Sequence, residues 1–87
     1  MNRLVAFDSV HQAIRAERLL LKAGVAVELV PTPREISASC GQSLQFAEAA
    51  AEPVRALLER ERIVFRGIYA QVPGQRIYEQ LAAGTAN

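Results

Sequence analysis

Cys40 is the only thiol in the chain, and it stands next to last in the run Pro31-Thr32-Pro33-Arg34-Glu35-Ile36-Ser37-Ala38-Ser39-Cys40-Gly41. A cysteine works as a nucleophile or a group carrier only as a thiolate that other molecules can reach. The neighbours suit both conditions. Gly41 permits a positive φ, which can turn adjacent backbone N–H groups into a small anion-binding nest. Ser37 and Ser39 offer hydroxyl donors to a thiolate or to a sulfur-bound group. Arg34, six residues away across a turn, can fold back with positive charge. With Thr32 at the entrance to the run, these residues form a candidate binding set around Cys40. His11 is a more remote candidate partner.

Each of these residues also has a plainer reading. A lone cysteine is often a small buried hydrophobe. Arg34 and Glu35 fit a solvated helical turn, and Ser37 and Ser39 fit turn residues that satisfy their own backbone. Gly41 serves loop geometry, and His11 reads as an exposed helix residue. Tyr69 and Tyr78 read as packing groups with hydrated hydroxyls. There is no Ser/His/Asp set at a recognisable spacing, no phosphate-binding glycine loop and no paired acids in a cleft order.

Eighty-seven residues predict one domain, with a core expected over about residues 3–81 and a C-terminal tail expected to fray. A chain this short hides roughly 60–65% of its unfolded surface on folding. Ten Lys and Arg stand against nine Asp and Glu, giving a net charge of +1. The basic residues are scattered and have no interleaved aromatics, which argues against nucleic-acid binding. One cysteine excludes an internal disulfide and a multi-thiolate metal site, and one histidine removes most imidazole sites, so neither metal nor cofactor is expected. The first residues lack the long apolar run of a signal peptide, and no run is long enough to span a membrane. A cytoplasmic location follows, where a lone thiol stays reduced.

The elements that must position the run can be read from apolar periodicity. Residues 3–7 predict a nearly all-apolar central strand. Ser9, three residues before Gln12, predicts an N-cap for a helix over 10–23. Val10, Ala13, Ile14, Leu20 and Leu21 would form its buried face, and Gln12, Arg15, Arg18 and Lys22 would point away. Gly24 predicts the left-handed end of that helix. A second strand is expected over 25–30. Thr32-Pro33-Arg34-Glu35 predicts one helical turn, with Thr32 as cap and Glu35 reaching back to its amide. A third strand is expected over 43–47, a second helix over 52–62 with Val54, Leu57 and Leu58 buried, and a fourth strand over 67–72. Pro73-Gly74 is a turn, and 77–81 predicts a short final helix. The order strand, helix, strand, strand, helix, strand points to an α+β protein with the ferredoxin-like βαββαβ fold. That fold has a four-stranded antiparallel sheet, both helices on one face, and central first and third strands.

The run Val30-Pro31-Thr32-Pro33-Arg34-Glu35-Ile36-Ser37-Ala38-Ser39-Cys40-Gly41 resembles the signature of a small bacterial family, the selenium/sulfur (Se/S) carrier protein-like family. Its pattern is similar to V-P-T-P-R-x-I-S-x-S-C-G followed by an apolar strand. The strand ending in Phe7, the helix with Ala13 and Leu20, Gly24, and Ile68-Tyr69 in the closing strand also resemble it. The likeness extends over roughly residues 4 to 80, with the central block carrying its specificity. It implies a stand-alone cytoplasmic domain in which Cys40 carries the chalcogen.

Three functions compete on this footing. The first is a sulfur or selenium carrier, with Cys40 bearing a persulfide or perselenide for a partner enzyme. A cysteine desulfurase or selenium-donor enzyme would supply the atom and an acceptor protein would receive it. The second is a non-catalytic module that binds a small anion or a protein, with a structural Cys40. The third is a thiol enzyme, for which the chain offers no assignable base. The outer strands of an open sheet leave edges through which a homodimer can form.

Overall fold

The computed structural model describes residues 1–37, 41–75 and 78–84. These form an α+β domain with two helices and one five-stranded antiparallel sheet. The strands are β1 (Arg3–Phe7), β2 (Glu28–Pro31), β3 (Gln42–Phe46), β4 (Gly67–Gln71) and β5 (Tyr78–Ala83). The helices are α1 (Val10–Lys22) and α2 (Ala51–Arg60), the latter entered through a short 3-10 turn at Glu48–Ala50. The strand order is β2-β3-β1-β4-β5.

β1 is central, and its composition explains why. Val5 and Phe7 point to one face, where they join Leu44, Phe46 and Ile68 under Ala13, Ala16 and Leu20 of α1 and Val54, Leu57 and Leu58 of α2. Both helices therefore cover the same face. On the opposite face, Leu4 lies in register between Gln45 and Tyr69, and Ala6 between Ser43 and Gly67. Four consecutive apolar residues are thus buried on two faces, as a continuous apolar strand requires.

Both helices end in the same way. The Val25 N–H donates to Leu20 O and the Gly24 N–H to Leu21 O, with Gly24 at φ 84. At the end of α2, the Ile63 N–H donates to Leu58 O and the Arg62 N–H to Glu59 O, with Arg62 at φ 54. This is the Schellman arrangement, which needs a left-handed residue after the cap. Glycine supplies that conformation freely; an arginine is strained in it by about 1–2 kcal/mol. Opposite outcomes follow for the two sites. Gly24→Ala meets no neighbouring atom, yet the conformation alone should destabilise it by about 1 kcal/mol in urea unfolding. Arg62→Gly should gain several tenths of a kcal/mol or more. Equal signs for the two substitutions would contradict this reading of the helix ends.

The sequence expectations need three corrections. The sheet has five strands, not four, because the expected final helix over 77–81 is replaced by β5. Val72-Pro73-Gly74-Gln75 forms a hydrogen-bonded turn, with Gly74 at φ 75 and the Gln75 N–H donating to Val72 O. That turn sends the chain back along β4, and pairing there outweighs the weak helical spacing of the segment. The buried face of α1 is the second correction. Ala13, Ala16 and Leu20 are buried, whereas Val10, Ile14 and Leu21 are exposed. The cause is that α1 packs against α2 as well as the sheet. Arg15 donates to Glu61 O at 3.1 Å, and Gln12 accepts from the Val64 N–H at 3.2 Å, which turns that polar side inward. Third, β2 starts at Glu28, so the expected strand is shortened at its front and runs on through Pro31. Pro31 is tolerated because β2 is an edge strand.

On the solvent side of α2, Arg55 bridges Glu52 and Glu59, each at 2.8 Å. The hydrogen bond from Arg55 holds the Glu52 carboxyl below its usual range. The small stabilisation from this exposed pair is present above that range and is lost as pH falls through the lowered value.

Candidate functional site

β2 and β3 are antiparallel neighbours, and their last pair is Pro31 with Gln42. The segment between them carries the Cys40 run, so the geometry of its neck fixes where the run leaves the sheet. Two bonds clamp that neck. The Thr32 N–H donates to Gly41 O at 3.0 Å. Beside it, Thr32 Oγ1 and Ser43 Oγ lie 2.7 Å apart. Ser43 is fully buried and is the one buried polar side chain among the described residues. A Cβ on Gly41 would stand 3.0 Å from Phe7 O and 3.3 Å from Thr32 Oγ1, tighter than most side-chain contacts. Gly41 is thus pressed between the end of β1 and Thr32. An alanine there would force the neck to shift.

The helical turn in the run is present in outline. The Ile36 and Ser37 N–H groups both donate to Pro33 O, at 3.0 and 3.1 Å. Its cap differs from the expectation. The Thr32 amide is engaged by Gly41 and its hydroxyl by Ser43, so Thr32 closes the neck of the loop instead of capping the turn. Arg34 is exposed and has no ion pair among the described residues, and Ser37 is half-buried. Ser39 and Cys40 lie outside the described residues.

The sheet also brings together groups the sequence kept apart. Strand pairing sets the end of β2, the start of β3, the end of β1, the start of β4 and the end of β5 along one edge of the sheet. Thr32 and Gly41 stand there, followed by Asp8 and then Arg66. Arg66 Nη1 meets Asp8 Oδ1 at 2.8 Å, and the Arg66 N–H donates to Ala6 O at 2.7 Å. Beside this pair is a cleft of about 460 Å³, lined by Asp8, Ser9, Gln12, Phe65 and Arg66 among others. Asp8 and Arg66 were not among the candidates read from the sequence. They are 58 residues apart, and only the β1–β4 pairing makes them neighbours. His11 is exposed on the first turn of α1. No group of three or more His, Cys, Asp or Glu among the described residues could hold a metal ion. No helix among them is long and apolar enough to cross a membrane.

The Thr32–Ser43 contact makes a prediction. Thr32→Val keeps the shape but leaves the Ser43 hydroxyl buried without its partner. An orphaned buried hydroxyl costs about 1–3 kcal/mol. Thr32→Ser keeps the hydroxyl and should recover most of that loss in urea unfolding. If the valine variant were as stable as the serine variant, the hydroxyl pair would not be what closes the loop.

The fold and the loop together define a small α+β domain whose single thiol belongs to a clamped segment between two antiparallel strands. Residues 2–70 match the protein family described as "Putative Se/S carrier protein-like", and the chain belongs to that family. The match takes in the whole Cys40 run and stops within β4, leaving β5 outside it. No curated protein and no solved structure matches the chain.

Proposed function

We propose that the protein is a sulfur or selenium carrier, with Cys40 bearing the chalcogen as a persulfide or perselenide. The observation that carries this reading is family membership across residues 2–70, a stretch that contains the only thiol of the chain. Supporting it, the neck residues Thr32 and Gly41 fix the two ends of the run, and Arg34 stands exposed with no competing carboxylate among the described residues. An exposed guanidinium can turn towards an anion in the loop.

The transfer is a thiol exchange. The Cys40 thiolate attacks the outer sulfur of a donor persulfide, a Cys40 S–S bond forms, and the donor S–S bond breaks to release the donor thiolate. Delivery reverses the roles, with an acceptor thiolate attacking the outer sulfur on Cys40. Electrons balance within each exchange, and no separate oxidant is needed. Selenium follows the same course. Ser37, Ser39 and Arg34 serve in this reading as donors and counter-charge to the terminal anion. A cysteine desulfurase is the donor class, and a thiol-bearing protein is the acceptor. The ferredoxin-like βαββαβ plan is part of this proposal for β1 to β4 and the two helices, with β5 added at the edge of the sheet.

The test is loading in solution. The reduced protein is incubated with a cysteine desulfurase and L-cysteine, and its intact mass is measured before and after treatment with a thiol reductant. A gain of one sulfur that the reductant removes is expected. With no gain, and no alkylation of Cys40 in the folded protein, the non-catalytic anion- or protein-binding module becomes the better reading.

A further inference from the structure

α1 leaves an apolar ridge in solvent. Val10 is 51% exposed, Ile14 45% and Leu21 51%, which is half of the large apolar side chains exposed among the described residues. With 3.6 residues per turn, these three positions fall within about 40° of one another around the helix axis. They form one line about 16 Å long at about 1.5 Å per residue.

The direction of this ridge is set by contacts elsewhere on α1. Gln12 and Arg15 reach the end of α2 and the segment after it. Ala13, Ala16 and Leu20 face the sheet. The ridge therefore lies on the side of α1 turned away from α2. β2 is the sheet edge on that side, because α1 touches β1, β2 and β3. β2 leads into Thr32 and the Cys40 run, and Val10 begins the helix three residues after Phe7, whose carbonyl oxygen abuts Gly41. The ridge and the loop neck share one side of the molecule.

Charge singles out the occupant. Arg18 and Lys22 border the ridge on its solvent side with His11 between them, and the half-buried Glu17 borders it on the other side; His11, Arg18 and Lys22 are exposed and have no ion partner among the described residues. Arg15, the remaining cation of α1, is engaged by Glu61 at 3.5 Å. Glu17 is the only acid on this helix. A second copy laid ridge to ridge would bring two sets of Arg18 and Lys22 together, which like charge opposes. We infer that the outward ridge of α1 docks the protein that donates the chalcogen, and that this donor presents an apolar groove rimmed with carboxylates. An amphipathic helix laid into such a groove is a recurring recognition mode. The inference rests on the carrier reading and adds its docking surface.

The experiment measures loading from a cysteine desulfurase with L-cysteine, treating the carrier as the varied substrate. Wild type is compared with Ile14→Glu, with the double variant Arg18→Glu/Lys22→Glu, and with Arg60→Glu on the other helix as control. A parallel arm loads each protein with inorganic polysulfide, which needs no docking. The two ridge variants should raise KM by tenfold or more, with kcat and polysulfide loading unchanged. Salt should raise the KM of wild type and of the control but hardly that of the double variant. Ridge variants with KM within twofold of wild type would overturn the docking surface and leave the carrier intact. Wild type that accepts sulfur from polysulfide but not from the desulfurase would overturn it as well. Failure of both sources would remove the carrier reading itself.

Discussion

Cys40→Ser is expected to reduce chalcogen loading to background while leaving the fold in place. The side chain changes by one atom, sulfur to oxygen, so any packing role is nearly preserved. A serine hydroxyl is not ionised near neutral pH and forms no stable bond to a sulfane sulfur, so carriage ends. Stability to urea should stay within about 0.5 kcal/mol of wild type, the range of changes outside a packed core. The two readouts separate the competing roles. Loss of loading with unchanged stability is what a carrier thiol gives. Unchanged loading together with a loss of more than about 1 kcal/mol would instead mark Cys40 as a buried hydrophobe. Arg34→Ala is the milder companion. It removes the exposed guanidinium proposed as the counter-charge, so the thiolate should form less readily and alkylation at neutral pH should slow.

Leu20→Ala should cause the largest loss of stability, on the order of 2–5 kcal/mol. Leu20 is fully buried, one turn beyond Ala16, in the cluster that also holds Phe46, Val54 and Leu58. Ala13 and Ala16, the other buried residues of the same helix, are too small to fill the gap. A domain of this size has only about 5–15 kcal/mol in hand, so such a loss should shift its unfolding midpoint markedly. Ile14→Ala, on the same helix but half exposed, should stay within about 0.5 kcal/mol. Comparable losses at the two positions would mean that the face of α1 has been assigned wrongly.

That face shows where sequence reading stops. Apolar spacing alone grouped Val10, Ile14 and Leu21 with Ala13 and Leu20, and a free helix on a sheet would bury them together. The contact with α2 rotates the buried stripe towards Ala16, and two long-range hydrogen bonds, from Arg15 to Glu61 and from Val64 to Gln12, do the turning. No local signal encodes them. α2 was legible because Val54, Leu57 and Leu58 leave only one face to bury. β1 was legible because four apolar residues in a row need cover on both sides. β5 was not, because Leu81 occupies the irregular register beside Ile68 and Tyr69 and breaks the alternation that marks a strand. At the site, the proline and glycine of the run showed a turn between two strands. The same residues did not reveal that Thr32 pairs with Ser43, eleven residues on, or that Asp8 meets Arg66 across the end of the sheet.

Cys40 is proposed to hold a labile chalcogen. The most direct measurement is the intact mass of the protein isolated from cells without reductant, taken before and after reduction and compared with Cys40→Ser prepared in the same way. A carrier should show a population heavier by one sulfur or one selenium atom, mapped to Cys40, removed by reductant and missing from the serine variant. A single unmodified mass from cells and from the desulfurase reaction alike would contradict it.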